Sequence, residues 1–509
     1  MFRAAMAGDV DTLQRMVNKN PALVRCMYEY RTPLYFAVRE NQMQAAAFLL
    51  ERGADPAKGL IHDNLLLMAR DRGYGGMQQL LEDRLGVSPQ GAGLFAAIRE
   101  RDLAKVRSLL DASPEALHAA DERTNRPIHW AVMTRQIDLI DELLARGTDP
   151  NAPRSDGARP IQLTSGDYYH RGWRDVSEDT ASSPAEVLAH LRARGAYCDI
   201  CTAASIGDMN RVKMLLNQDP ALANRVSDYV TYYDCSGAPL RNAAAEGHLE
   251  IVKLLLEHGA DPNLPEEGIA PHGGALYAAV AGGHFEIAQL LLERGANPSA
   301  AVESSGDCLT RAINRGDQKM VDILASYGAS RSVEIMAYYG DLRTAAAVFA
   351  ANAALADDPH ALSTAAGEGQ DAFVRLMLRY QADLARRVAV GAKTPELTEY
   401  LFQHGMDPSR SDWLGITPLH RFAERGDLEN GALFVERGAN VNARDEEFCS
   451  TPLGYAAKTG KLAMVEMLLE CGAKTNLPDD PEWATPLAWA TRRGHADVVE
   501  RLRRAGAKT

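Results

Sequence analysis

The sequence lacks an excess of basic residues, is poor in aromatics and cysteines, and has no long apolar run; each shortage removes a class of protein. Lys and Arg number 55 against 68 Asp and Glu, a formal net charge of −13. That balance argues against a general binder of nucleic acid or of acidic membrane surfaces. Seven cysteines in 509 residues are too sparse for a disulfide framework. No run approaches the roughly 18 apolar residues that a membrane-spanning helix needs. The opening Met1-Phe2-Arg3-Ala4-Ala5 leads straight into a helical pattern without the apolar region of a secretion signal. A cytoplasmic protein is expected, with no nucleic-acid or membrane partner. Aromatics make up only 6 %, but apolar residues reach 46 %, enough for a continuous core.

What is present is repetition. The phrase Leu49-Leu50-Glu51-Arg52-Gly53-Ala54-Asp55-Pro56 returns as Leu143-Leu144-Ala145-Arg146-Gly147-Thr148-Asp149-Pro150 and again around Gly259, Gly295, Gly405, Gly438 and Gly472. Gly259, Gly295 and Gly328 are 36 and 33 residues apart, and Gly405, Gly438, Gly472 and Gly506 follow at 33, 34 and 34. Such a period fits one short helix pair plus a turn. Between these glycines lies a second phrase, clear in Thr32-Pro33-Leu34, Thr417-Pro418-Leu419-His420, Thr451-Pro452-Leu453 and Thr485-Pro486-Leu487. Arg126-Pro127-Ile128-His129, Arg159-Pro160-Ile161 and Ala238-Pro239-Leu240 are weaker copies. Thr caps a first helix and Pro fits its first turn. Leu249 to Leu256 supplies a second helix with apolar residues at helical spacing, and Gly259 is a left-handed stop.

Together the phrases resemble the ankyrin repeat, over nearly the whole chain and in roughly fifteen units of about 33 residues. The resemblance implies an all-α repeat solenoid: a stack of helix-turn-helix units with short β-hairpin or loop fingers. It also implies that first helices line a concave, finger-edged binding face. The expected organisation is an N-terminal stack over 1–330, degenerate helical repeats over 331–408 and C-terminal repeats over 409–509. Paired helices are readable at 333–350, 361–379 and 396–404. Hairpin-poor units begin near Met1, Leu94 and Ile200, with Asn20-Pro21-Ala22 or Asp219-Pro220-Ala221 after the second helix.

The largest departure is an insertion over 164–183, carrying Tyr168, His170 and Trp173. It reads either as an ordered lid packed on adjacent helices or as a binding element over the concave face. Two later fingers are lengthened, one with Tyr229, Tyr232 and Tyr233 and the next with Glu266, Glu267 and His272; the following unit opens with Glu303 and Asp307. Exposed aromatics on rigid supports favour recognition. Trp130, Arg241, Tyr277 and Arg311 are the candidates on the concave face.

Asp167, Glu267 and His272 are the seed of an alternative reading, an enzyme or small-molecule receptor with a pocket under the insertion. Solvated finger tips explain the same residues more simply, and no nucleotide, nucleophile-elbow or zinc-protease motif is present. Cys198 and Cys201 form a lone Cys-x-x-Cys without two further ligands, so buried thiols are expected. His248, His284 and His495 follow glycines and read as loop hydrogen-bonders. The expectation is a monomeric, non-catalytic scaffold without cofactor or metal that binds a protein partner.

Overall fold

The computed structural model describes residues 1–29, 31–57, 64–87, 89–167, 170–177, 182–228, 235–264, 274–302 and 306–508. The chain forms two compact units, Met1–Ser330 and Arg331–Thr509, and each is an all-α stack of helix-turn-helix repeats. Among the described residues, one short pair of strands forms, Ala301–Val302 with Gly306–Asp307.

The repeat built on Pro239–Ala245 and Leu249–Glu257 shows how the sequence makes each element. Pro239 opens the first helix, where a missing amide costs nothing. The helix is mostly alanine beyond Leu240 and Asn242, and Ala243 and Ala244 are fully buried, so neighbouring backbones approach closely. Gly247 turns the chain with φ +76°. The second helix then buries Ile251, Val252, Leu255 and Leu256, residues three and four apart on one face. Gly259 stops it in the left-handed region, φ 80°.

Hairpin-poor repeats end differently. The second helices Val10–Lys19 and Met209–Gln218 run into extended residues, Asn20 at φ −146° and Asp219 at φ −149°. The side chains of Asn20 and Asp219 accept bonds from Ala22 N and Ala221 N, winding the 3₁₀ turns Pro21–Arg25 and Pro220–Asn224. No finger is needed where the turn itself returns the chain.

Neighbouring repeats are tied by side-chain bonds to backbone. His248, His284 and His495 each place Nε2 2.9–3.1 Å from a carbonyl near the end of the preceding first helix, on Ser205, Ala245 and Lys458. Because the partner is a carbonyl, Nε2 must donate. Gln42, Gln136 and Gln370 do the same to Met6, Ile98 and Tyr338. A second ladder runs through the turns after the second helices. Asn224 accepts from Asp261 N and donates to Gly259 O, and Asn263 repeats this with Asn297 N and Gly295 O.

In the first unit the buried apolar residues form two clusters, from Ala4 to Leu85 and from Leu94 to Leu324. Backbone pairing of Val87 with Ala120 and the reach of Arg70 to both Glu82 and Glu122 join them. In the second unit one cluster runs from Met336 to Leu502. Helix pairs occupy Val333–Tyr339 with Leu342–Ala351 and Pro359–Glu368 with Asp371–Tyr380, and Pro395–Gln403 follows a 3₁₀ turn.

At Gly247 a Cβ would lie 2.6 Å from His284 Cε1, and positive φ adds about 1–2 kcal/mol for any side chain. Gly247→Ala is expected to lower stability by at least about 1–2 kcal/mol, read as a lower urea midpoint. An unchanged midpoint would contradict this packing.

Candidate functional site

The best-defined polar arrangement in the first unit lies where two consecutive fingers meet the start of the insertion. The first finger is organised by Asp121. Its Oδ1 accepts from Arg123 N and Asn125 N at 2.9 and 2.8 Å, and its Oδ2 accepts from Asn125 Nδ2 at 3.0 Å. The indole Nε1 of Trp130, on helix Pro127–Met133, donates to the same Oδ2 at 2.9 Å.

Arg154 carries the arrangement onward. Its Nη1 donates to Asn125 Oδ1 at 2.8 Å and to Asp167 Oδ2 at 2.9 Å, while Nη2 meets Asp156 Oδ2 at 2.7 Å. Thr124 and Ser155 cross-link the same two fingers, with Ser155 N donating to Thr124 Oγ1 at 2.9 Å. Asp167 Oδ1 accepts from His170 N at 2.8 Å, and Asp167 N donates to His170 O. Both carboxylate oxygens of Asp167 are therefore engaged, which suits a structural brace better than a general base.

His170 lies edge-on to Trp130, ring centroids 5.3 Å apart, and Arg99 stacks on the Trp130 ring at 4.9 Å. The start of the insertion thus packs through His170 against Trp130 of helix Pro127–Met133. Burial lowers the His170 pKa, opposed by Asp175 and Asp167, and its Nε2 is buried without a partner among the described residues. Arg174 grips both oxygens of Asp175 and pulls that carboxyl down to about 2.

The other expected contact residues fall in different places. Trp130 and Tyr277, expected on the partner-facing surface, are buried at 6 % and 5 % exposure. Trp130 is covered by His170 and Arg99, and Tyr277 belongs to the core shared by neighbouring repeats. Asp307 is also buried; it caps helix Cys308–Asn314 through Thr310 N at 2.6 Å, so its role is structural. Arg241 is half-buried and donates to Asn242 Oδ1. Arg311 is exposed. Tyr168, Tyr229, Tyr232, Tyr233, Glu266, Glu267, His272, Glu303 and the side chain of Trp173 lie outside the described residues.

Cys201 is almost fully buried, with Sγ 3.4 Å from the carbonyls of Arg225 and Gly237, and burial pushes its pKa well up. Cys198 is raised to about 11 by the same cause. Both are inert thiols. Among the described residues no group of three or more His, Cys, Asp or Glu gathers as a metal site, and no helix is long and apolar enough to cross a membrane.

Sequence reasoning missed Asp121, Asn125, Arg154 and Arg99. A signal was present: an aspartate opens a finger nine residues before Trp130, and Asp445 stands ten before Tyr455, whose hydroxyl bonds it at 3.1 Å.

Two expectations follow. Arg154 and Asp167 have side chains only 9 % and 4 % exposed; Arg154→Ala strands a buried carboxylate and should cost about 3–5 kcal/mol. Arg154→Ala combined with Asp167→Asn should recover part of this loss in urea unfolding. His129, fully buried, accepts from Arg126 N and donates to Ala152 O, and burial lowers its pKa to about 3. The unfolded chain therefore takes up the proton first, near the ordinary imidazole value of 6.5. This contribution is complete above that pH and is lost as pH falls toward 3. Gln162 makes the equivalent bonds one repeat later, to Arg159 N and Thr202 Oγ1. His129→Gln should consequently fold at neutral pH and lose less thermal stability on acidification than the parent chain.

Models described as ankyrin repeat match residues 29–59 and 125–155, one described as ankyrin repeats (many copies) matches 240–292, and one described as ankyrin repeats (3 copies) matches 387–479 and 445–509. The chain is similar to the Ankyrin repeat protein nuc-2 of Neurospora crassa, 24 % identical over 288 residues, 53 % of this chain and 26 % of that one. It is 48 % identical over 65 residues to the probable E3 ubiquitin-protein ligase XBOS33 of Oryza sativa subsp. japonica, 13 % of this chain and 12 % of that one. It is 24 % identical over 153 residues to the human Transient receptor potential cation channel subfamily A member 1, 30 % of this chain and 12 % of that one. The chain thus spans a minor part of each relative. Ankyrin repeats generally mediate protein–protein interaction and typically form non-catalytic scaffolds. Capped helix pairs, left-handed glycine stops and recurring inter-repeat bonds, together with these matches along its length, make the chain an ankyrin-repeat protein.

Proposed function

We propose that the chain is a scaffold whose protein partner docks along the first helices and finger edge of the first unit, around residues 165–310. The observation that carries this reading is the Asn125–Arg154–Asp167 chain of bonds, which braces the two fingers leading into this stretch against each other and against the start of the insertion. Fingers held this way lose little conformational freedom when a partner arrives, so more of the contact energy remains as affinity. Arg311 supplies an exposed cation on a first helix of this stretch. Tyr229, Tyr232, Tyr233, Glu266, Glu267, His272 and Glu303 supply the aromatic and acidic chemistry of its lengthened fingers. Trp130 and Tyr277, both buried, contribute to the stack rather than to the contact surface. A pocket for catalysis under the insertion has less support, because Asp167 is committed to Arg154 and His170.

The reading is tested by placing a photo-crosslinking amino acid at Tyr232 or Arg311 and, as controls, at the exposed second-helix residues Lys213 and Glu250. One protein should be captured from the first pair of positions and only weakly from the second. Tyr232→Ala with Tyr233→Ala should reduce its capture by roughly tenfold or more without altering helical content. Equal crosslinking from both pairs would reject this surface.

A further inference from the structure

At several junctions the later repeat supplies a donor to the one before it, from either of two sequence positions. His or Gln at the head of the second helix is the first. Where Tyr74 or Asp317 stands there instead, an arginine two residues earlier takes over. Arg72 Nη1 donates to Arg39 O at 2.5 Å, and Arg315 Nη1 to Ala281 O at 2.9 Å. The repeat of helices Pro89–Arg99 and Leu103–Ala112 has neither. Its two positions hold Glu100 and Asp102, and ionised carboxylates only accept. Asp102 Oδ1 caps its own helix through Lys105 N at 2.9 Å, and Glu100 Oε2 lies 3.5 Å from Lys105 Nζ. Negative charge beside the carbonyl end of a preceding helix is also unfavourable. Ile206 and Asp208 supply no donor either, but there Gln162 Nε2 donates to Thr202 Oγ1 and the buried core runs on.

Three observations mark a seam in front of Glu100 and Asp102. Gly73 ends the preceding first helix at φ +68°, and nothing lies within 4 Å of where a Cβ would stand. The equivalent space is filled at Gly8 by Gln42, at Gly247 by His284 and at Gly283 by Arg315. Gly316 and Gly494, open like Gly73, belong to the last repeats of the two units. Secondly, the buried apolar cluster that begins at Ala4 stops at Leu85, and a separate one begins at Leu94. Thirdly, the bonds seen to cross the seam are weak: Ala120 N to Gly86 O at 3.3 Å, and the Arg70–Glu122 pair at 3.4 Å, which is solvent-exposed.

We propose that residues 1–87 form a separable N-terminal module, which unfolds and refolds as one cooperative element while the rest of the first unit stays folded. Its helix pairs are Phe2–Ala7 with Val10–Lys19, Pro33–Arg39 with Met43–Glu51 and Leu65–Asp71 with Gly75–Leu85, as many repeats as a shared core needs. Stability along a repeat stack is a sum of repeat and junction contributions, so cooperativity breaks at the weakest junction. Both crossing bonds land beside Asp121, on Ala120 and Glu122, so the event bares that finger at the edge of the remaining stack. The module stands on this junction alone and does not depend on the partner surface.

The test is hydrogen exchange of the full chain, read by mass spectrometry. Amides of Val10–Lys19, Met43–Glu51 and Gly75–Leu85 should exchange together, about tenfold or more faster than those of Leu103–Ala112 and Ile137–Ala145. Glu100→Arg copies the arrangement of Arg72 and Arg315 and should slow exchange in the first three of these helices about threefold or more, leaving Leu249–Glu257 unchanged. Glu100→Ala removes the charge without adding a donor and should slow it less. Circular dichroism establishes that each variant is folded; should Glu100→Arg fail to fold, the step in the parent chain between residues 85 and 103 still decides. Equal exchange on the two sides, a gradual rise toward Met1 without a step, or a folded Glu100→Arg that exchanges like the parent chain would overturn the proposal.

Discussion

A side-chain donor at the head of a second helix reaches back to a carbonyl near the end of the preceding repeat's first helix, and much else in the structure follows from that bond. The last carbonyls of a helix have no partner within it, and a first helix of two turns has a large share of them. His248, His284 and His495 in some repeats, and Gln42, Gln136 and Gln370 in others, satisfy one each while fixing the offset between neighbours. The glycine before the second helix is needed twice over: its backbone is left-handed, and at Gly207, Gly247 and Gly460 the next repeat's imidazole fills the space where a Cβ would stand. Once the offset is set, alanine faces meet and the asparagine ladder closes the opposite turns.

Fingers project from this frame, and their chemistry depends on how they are braced. Around Asp121, Arg154 and Asp167 the brace is ionic and buried, so the fingers of the first unit become part of the scaffold there. Around Asp445 it is a carboxylate taking bonds from Phe448 N, Ser450 N and the Tyr455 hydroxyl. The aromatic residue of the first helix is thereby tied to its own finger in both units. Aromatic side chains placed on the first helices thus become floors, and the long cationic side chains above them meet solvent.

Much of this was legible in the residue order. The phrases around Pro33, Pro418, Pro452 and Pro486 start helices, the glycines end them, and the histidines after glycine bond to backbone, because each acts through local geometry that its neighbours in sequence already define. Residues whose role depends on a different repeat were harder to place. Trp130 and Tyr277 stand at positions that other repeats fill with Arg421 or His420, so sequence position pointed to the surface, yet His170 and the neighbouring core cover them. Asp307 read as part of an acidic finger and instead caps the helix after it.

Sequence alone determined the repeat, its period, its helix boundaries and its all-α class, since helix capping and apolar spacing are decided within about a dozen consecutive residues. Which side chains face a ligand was decided only by tertiary structure. Exposure at one repeat depends on what the next repeat, or an insertion more than thirty residues away, lays over it. Arg154 joins Asn125 to Asp167, and Lys458 shares the Trp489 indole with Arg492, through space that no local pattern encodes.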